Sequence, residues 1–300
     1  MNNRVRKILR WTKWILISLL LLPVISLLIM KIFGVMKMRM DDHEIMEALS
    51  SMPYTKHMDT LTLGDRHIAY LLTSKKEDQN DAIIFVHGSP GSMDAYIRYM
   101  NHDSLLHIAD LITYDRPGFG HSDFGKTEPL LKNQARILSQ LMDSLGYQNY
   151  WLVGHSYGAP VILQAAIDYP ERIRGLCMVA GSVSYDLEPK SPWRKWIDLP
   201  GFRFLLPTAM RVSNQELMTL KKDLLEINHD WGKITISVSL IHGTKDVLVP
   251  FGNLTEAKSK LVNSTNVRTL IMENENHFIL WTHKEHVVKE IVELMKTPDL

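Results

Sequence analysis

The chain has 300 residues, 45% of them hydrophobic, with 34 basic and 33 acidic side chains and one cysteine. The near-neutral charge gives no support for nucleic-acid binding, and the single cysteine excludes an internal disulfide bond. Histidines and cysteines do not occur at the spacing of a structural zinc site, so we expect no metal and no cofactor. The length suits one membrane anchor and one domain with a substantial core.

The amino terminus contains an apolar stretch. Residues 14–30 are uncharged and strongly hydrophobic, with basic residues before them. Four more apolar residues extend the stretch past Lys31: Ile32, Phe33, Val35 and Met36. Together they reach the roughly 20 residues that span a bilayer as a helix. Bulky or basic residues follow instead of a cleavage site, which favours a single-pass anchor over a cleaved signal peptide. More basic residues precede the stretch than follow it, which favours an extracytoplasmic domain over the opposite topology.

Two glycine-containing loops come next in the chain. A buried strand is predicted at residues 82–86, and the sequence His-Gly-Ser-Pro-Gly follows at 87–91. The glycines beside Ser89 let its backbone approach a bound molecule closely, so the Ser89 amide is a candidate hydrogen-bond donor. In the loop 114–122, we expect Asp115 to make a structural contact and His121 to lie at the rim of a site.

The sequence Gly-His-Ser-Tyr-Gly at 154–158 fits a nucleophile elbow. An apolar strand is predicted at 150–153, and an alanine-rich helix at 159–169 ends before Pro170. A serine between two glycines suits a sharp strand-to-helix turn, which exposes a reactive hydroxyl. We therefore expect Ser156 to be a nucleophile, and the Tyr157 amide to be a second donor to the oxyanion that forms when it attacks.

Residues 182–231 interrupt the alternation of strands and helices, and we expect them to form a cap over the site. The segment contains aromatic residues and prolines, followed by a helix predicted at 215–226. We assign substrate binding to Trp193, Trp196 and Phe202, as parts of an apolar roof. The alternative is that these aromatic side chains only form the core of the cap.

Two further strands end near titratable residues. The strand predicted at 236–241 leads to Asp246, and the strand predicted at 267–271 leads to His277. A hydroxyl nucleophile needs a base and a residue that orients the base. We expect His277 to be the base and Asp246 to orient it, ahead of His87, His121, His155 and Asp115 as rivals.

These motifs together resemble the α/β-hydrolase superfamily over about residues 61–295. The resemblance implies a mostly parallel sheet flanked by helices; to this, residues 182–231 add a small helical cap and the apolar stretch at the amino terminus adds a transmembrane helix. The division expected is an anchor and linker at 1–40, a hydrolase core at 41–181 and 232–300, and the cap at 182–231. Epoxide hydrolases and haloalkane dehalogenases of this superfamily have aspartate at the elbow, and Ser156 argues against both.

Together with the apolar amino terminus, the resemblance implies a membrane-anchored serine hydrolase that cleaves a carboxylic ester or a lipid-like substrate. The loop at 87–91 is similar to that of proline iminopeptidases, so a peptidase or amidase is an alternative, with Glu188 or Glu216 to bind the substrate ammonium. Carbon–carbon bond hydrolases and cofactor-free perhydrolases use a similar triad. A tethered binding protein without activity is the alternative from another class. The sequence leaves the oligomeric state open.

Overall fold

A single mostly parallel sheet forms the centre of the structure, a computed structural model that describes residues 3–32, 38–50, 54–75 and 79–296. Its strands are β1 (Thr55–Leu63), β2 (Arg66–Ser74), β3 (Asp81–Val86), β4 (Asp110–Tyr114), β5 (Asn149–His155), β6 (Ile173–Val179), β7 (Ser237–Gly243) and β8 (Val267–Met272). They lie in the order β1-β2-β4-β3-β5-β6-β7-β8. Strand β2 is antiparallel to β1 and β4, and the other neighbours are parallel.

Helices cover both faces of this sheet. In chain order they are α1 (Asn3–Ile32), α2 (Asp42–Ala48), α3 (Asp103–Leu106), α4 (Leu131–Leu145), α5 (Gly158–Asp168), α6 (Trp193–Ile197), α7 (Pro200–Arg203), α8 (Thr208–Ile227), α9 (Gly252–Lys260), α10 (Ile279–Thr282) and α11 (Lys284–Met295). Helices α4, α5, α8 and α9 pack into one apolar core. Helices α2, α3, α10 and α11 contribute to a second core. The sheet is therefore the middle of three layers.

The burial of the strands explains why their sequences are apolar runs. All five residues of β4 are buried, as are all seven of β7, because helices cover both faces of these strands. The edge strand β1 has partly exposed residues, and polar and apolar side chains mix along it. The β1–β2 hairpin turns at Gly64, whose φ of 64° favours glycine.

Helix α1 is the first element of the chain. It contains an 18-residue window, Leu9–Ser26, that is long and apolar enough to cross a membrane by length and composition. The described side chains in this window are almost all exposed to the surroundings, and none is acidic. Of the residues expected to extend the apolar stretch, Phe33, Val35 and Met36 lie outside the described residues.

The segment predicted to be a cap connects β6 to β7 through α6, α7 and α8. The long helix α8 inserts Leu220 and Leu224 into the same apolar core as α4 and α5. The short helices α6 and α7 have no fully buried residue. The connection therefore consists of one helix, α8, that packs into the core and two short surface helices, α6 and α7. It starts and ends at the sheet.

Candidate active site

Ser156 lies in the turn between β5 and α5, in a left-handed backbone conformation. Its φ is 53°, a strained value for a residue with a side chain. The Ser156 amide donates to the carbonyl of Val179 on the neighbouring strand at 3.0 Å, which holds the turn in place. Such strain in a tight strand-to-helix turn is the geometry expected of a nucleophile elbow.

The two glycines beside this turn, Gly154 and Gly158, lie so close to neighbouring backbone that no side chain fits there. A Cβ at Gly154 would lie 2.5 Å from the carbonyl oxygen of Gly158. A Cβ at Gly158 would lie 2.1 Å from the carbonyl oxygen of Val86 on β3. Real Cβ atoms do not make such contacts, so both positions need glycine. The sequence motif is therefore a packing requirement of the turn as well as a chemical signature.

The structure brings His277 and Asp246 together after two adjacent parallel strands. The Nδ1 atom of His277 lies 2.6 Å from Oδ2 of Asp246, and both side chains are almost fully buried. The other carboxylate oxygen of Asp246 accepts the amides of Leu248 at 2.9 Å and Val249 at 2.8 Å. These bonds hold the carboxylate in one orientation. The carboxylate in turn orients the His277 ring, so that Nε2 points away from Asp246.

The surroundings of Asp246 favour its ionised form. Burial by itself raises the pKa of this carboxyl, but hydrogen bonds from His242, His277 and the Val249 amide hold the pKa well below its ordinary value. The Nε2 atom of His242 is 3.4 Å from Oδ2 of Asp246. The carboxylate is therefore charged at neutral pH.

A cavity of about 410 Å³ opens beside these groups. Ser156, Tyr157, His277 and Ser89 all line it, whereas Asp246 lies behind His277. Much of the remaining wall is apolar and comes from four different segments. Its main apolar residues are Met38, Leu217, Leu220, Leu248, Phe278 and Trp281.

Two backbone amides at the cavity are without acceptors. Among the described residues, neither the Ser89 nor the Tyr157 amide donates a hydrogen bond. Both residues line the cavity next to Ser156. An oxyanion is stabilised by backbone N–H groups that already point at it and have no other acceptor. These two amides meet that requirement.

A buried ion pair holds the loop that contains Ser89. The Arg116 guanidinium donates to the carbonyls of His87 and Gly88, each at 2.9 Å, and to the carboxylate of Glu216 on α8. The Ser89 hydroxyl donates to the same carboxylate at 2.7 Å. Arg116 and Glu216 are both 0% exposed. The loop carbonyls and the Ser89 side chain are therefore fixed by these bonds.

Sequence reasoning did not find this ion pair. The sequence predicts Glu216 only as an anion for a substrate ammonium, and it predicts no contact for Arg116. A signal was present, because Val212, Glu216 and Leu220 are four residues apart and share the inward face of α8. A charged residue in an apolar stripe indicates a buried partner.

The rival histidines and aspartate have structural contacts. Burial lowers the pKa of His155 to about 3, aided by nearby His277, and burial also holds the pKa of His87 well below its ordinary value. Burial therefore favours the neutral form of both rings over the positively charged form. Asp115 accepts the amides of Met93 at 2.7 Å and His121 at 2.6 Å, as expected of a structural residue.

The structure does not bring the three predicted substrate-binding aromatics to the cavity. Trp193, Trp196 and Phe202 are 53%, 68% and 57% exposed, and none of them lines its wall. Helices α6 and α7 are too short to bury a continuous face, so these side chains point to the surface. From this part of the chain, Arg194 and Leu217 line the cavity instead.

The part of the chain that the structure describes contains no group of three or more histidine, cysteine, aspartate or glutamate side chains able to hold a metal ion. Cys177 is fully buried in β6, where burial strongly raises the pKa of its thiol.

Comparison with known proteins agrees with this fold. The sequence model of the family described as alpha/beta hydrolase fold matches residues 81–211. An acetyltransferase component of an acetoin cleaving system from Cupriavidus necator is 29% identical over 107 residues, covering 36% of this chain and 28% of the relative. The palmitoyl-protein thioesterase ABHD10 of Bos taurus is 24% identical over 225 residues, covering 69% of this chain and 70% of the relative.

Solved structures extend the similarity to most of the chain. An esterase from Exiguobacterium antarcticum superimposes with a TM-score of 0.66, at 16% identity, over 80% of this chain and 100% of that chain. The sequence relatives include proteins named thioesterase and hydrolase, and this solved structure is named an esterase, which together support a hydrolase. The chain has the α/β-hydrolase fold, and the family model over residues 81–211 supports a member of the α/β-hydrolase superfamily.

Proposed function

We propose that the chain is a membrane-anchored serine hydrolase that cleaves a carboxylic ester through an acyl-enzyme on Ser156. The observation that carries the proposal is that the strained Ser156 lines a cavity which is also lined by His277, whose ring is bonded to the buried Asp246. Relatives named esterase and thioesterase support an acyl group as the substrate.

In the proposed reaction, Nε2 of His277 accepts the proton of the Ser156 hydroxyl as its oxygen attacks the ester carbonyl. Asp246, bonded to Nδ1 at 2.6 Å, keeps the ring in the required tautomer and stabilises the imidazolium. The amides of Ser89 and Tyr157 bind the oxyanion. The imidazolium then protonates the leaving alcohol, and water activated by His277 hydrolyses the acyl-enzyme.

The cavity favours an apolar acyl group over an amino-terminal peptide. Leu217, Leu220, Leu248 and Trp281 supply a largely apolar wall, which suits an acyl chain. Glu216 is paired with Arg116 and fully buried, so it is not available to a substrate ammonium. Glu188 lines the cavity and accepts a hydrogen bond from the Ser182 hydroxyl at 2.9 Å. Of the two glutamates, Glu188 is therefore the one that could bind a substrate ammonium in a peptidase.

We also propose the division of the chain into an anchor and linker at 1–40, a hydrolase core at 41–181 and 232–300, and a cap at 182–231. Helix α1 supports the anchor, since its apolar window has 18 residues and exposed side chains. The excess of basic residues before the apolar stretch 14–30 supports an extracytoplasmic hydrolase core. Helix α8 supports the cap, because Leu217 and Leu220 face the cavity.

Turnover of a graded series of soluble p-nitrophenyl esters and of proline peptide amides tests the reaction. We expect ester hydrolysis that Ser156→Ala abolishes without loss of folding. The matched control is Ser259→Ala, on the exposed face of α9. Peptide turnover without ester turnover would favour the peptidase, and full ester turnover by Ser156→Ala would overturn the assignment. A folded chain without turnover of any substrate would favour a tethered binding protein.

A further inference from the structure

The mouth of the cavity is surrounded by exposed apolar side chains from separate segments. We call Met38, Leu248, Phe278 and Trp281 the apolar rim, since each lines the cavity and each is more than a third exposed. They come from the linker after α1, the loop after β7, the loop after β8 and helix α10. Exposed apolar groups around a cavity mark a surface that contacts another apolar phase.

A second exposed apolar surface comes from a segment that also contributes Arg194 to the cavity wall. We call the exposed apolar residues of 190–204 the cap patch: Trp193, Trp196, Leu199, Phe202 and Phe204. Residues 190–204 also contain four basic residues and one acidic residue. Arg194 lies on α6 between two patch residues and lines the cavity, so the patch begins at the cavity wall. Aromatic side chains interleaved with basic ones are the composition of helices that lie in an anionic membrane surface.

The linker after α1 holds the rim close to the expected bilayer. The carbonyl of Met38 accepts the Ser92 hydroxyl at 3.0 Å, and the Met40 amide donates to Asp94 at 2.7 Å. The guanidinium of Arg39 also donates to the Gly120 carbonyl. Only residues 33–37 separate Met38 from the end of α1 at Ile32. A chain of that length spans at most about 20 Å, so the rim cannot lie far from the membrane surface.

We propose that the apolar rim and the cap patch dock onto the anionic phospholipid surface of the membrane that holds α1, so that the acyl chain of a bilayer lipid enters the cavity directly. The proposal rests on the proposed anchor and ester hydrolase, and it names a membrane lipid ester as the substrate. In this proposal Trp193, Trp196 and Phe202, which do not line the cavity, contact the membrane instead. The basic residues Lys190, Lys195 and Arg203 face the lipid phosphates.

Site-directed spin labelling of the full chain in vesicles tests the docking. Cys177 is fully buried, so a thiol label attaches to an introduced cysteine. Labels are placed by Leu199→Cys in the patch, Leu19→Cys in α1 and Lys258→Cys on α9, all at exposed positions. The vesicles contain phosphatidylcholine and phosphatidylglycerol in equal parts. We expect labels at 19 and 199 to be accessible to oxygen dissolved in lipid, and the label at 258 to be accessible to an aqueous nickel complex.

The three labels separate the docking from the anchor that it assumes. A label in lipid at 19 with a label in water at 199 would overturn the docking alone. A label in water at 19 would overturn the anchor and the docking together. Spin–spin broadening at 199 without lipid contact would assign the patch to a second copy of the chain and would also overturn the docking. None of these outcomes depends on turnover, so a failure of the catalytic proposal is recognised separately.

A charge-reversal variant tests the consequence for the substrate. Lys195→Glu with Arg203→Glu should lower hydrolysis of a fluorogenic phosphatidylglycerol in the vesicles by about tenfold or more, because each basic residue near the surface contributes to anionic-lipid binding. Hydrolysis of a soluble butyrate ester should be unchanged. Lys258→Glu with Lys289→Glu, at exposed positions of α9 and α11, is the matched control. Equal lipid hydrolysis by both double variants would contradict the proposal.

Discussion

Arg116 and Glu216 form a fully buried ion pair between two distant parts of the chain, with Nη1 2.5 Å from Oε1. Arg116 belongs to the loop after β4, and Glu216 belongs to α8. Gln134 on α4 bonds to both partners, at 2.7 and 2.8 Å, so the charges are enclosed by hydrogen bonds. The pair therefore ties α8 to the loop that presents the Ser89 amide.

Removing one partner of this pair should be costly. Glu216→Ala leaves the Arg116 charge buried without a counter-charge, and we expect a loss of about 3–5 kcal/mol in the free energy of unfolding. Glu226→Ala, on the same helix with an exposed side chain, should cost less than about 0.5 kcal/mol. Chemical denaturation of the full chain in detergent measures both, and equal losses would show that the pair contributes no special stability.

The glycine at the start of α5 should not tolerate a methyl group. In Gly158→Ala, the new Cβ lies 2.1 Å from the Val86 carbonyl oxygen, so β3 and α5 must separate. We expect a loss of about 2 kcal/mol or more in the free energy of unfolding. At Gly201 on α7 nothing lies within 4 Å of a new Cβ, so Gly201→Ala should change stability by less than about 1 kcal/mol. Similar melting temperatures for the two variants would contradict this packing.

Asp223 should make stability depend on pH. Burial raises the pKa of its carboxyl from 3.8 to about 6. The hydrogen bond that the carboxylate accepts from the Leu131 amide lowers the pKa, but by less than burial raises it. The folded protein therefore binds the proton more tightly than the unfolded chain, and this group lowers stability as pH rises from about 4 to about 6.

Asp223→Asn keeps an acceptor for the Leu131 amide and removes the charge. Compared with the wild type, it should gain about 1 kcal/mol in the free energy of unfolding between about pH 4 and about pH 8. Denaturant titrations of both proteins at the two pH values measure the gain. A stability difference that does not change with pH would contradict the assigned pKa shift.

Asp246→Asn should reduce kcat by about a thousandfold to ten-thousandfold with little change in KM, because an amide stabilises neither the required tautomer nor the imidazolium of His277. Asp65→Asn, whose side chain is 81% exposed in a surface pair with Lys126, should leave kcat unchanged. Steady-state kinetics on a soluble ester measure both. A fall in kcat of less than tenfold for Asp246→Asn would remove Asp246 from the proposed triad.

Local patterns predicted the sheet and the loops at its carboxyl edge. The runs at 82–86, 150–153 and 236–241 lie in β3, β5 and β7, since strands buried on both faces leave continuous apolar sequence. The left-handed turn at Ser156 and the contact between His277 and Asp246 agree with the expected geometry. The catalytic roles of these residues stay predictions until turnover is measured.

Two features needed information that local sequence does not contain. Arg116 and Glu216 are 100 residues apart, and no periodic pattern specifies which distant charge a buried residue meets. The orientation of α6 and α7 was also not predicted, because helices of five and four residues have no periodicity that separates a buried face from an exposed one. For this reason Trp193, Trp196 and Phe202 were expected in the cavity but lie on the surface.

The nucleophile itself gives the most direct test. The full chain is treated with a fluorophosphonate, and the modified residue is located by mass spectrometry of its peptides, with Ser156→Ala as the comparison. Our account predicts one phosphonyl adduct on Ser156, formed by displacement of fluoride, and no adduct in the variant. A wild-type chain that stays unmodified, or that is modified elsewhere while it hydrolyses esters, would contradict the account.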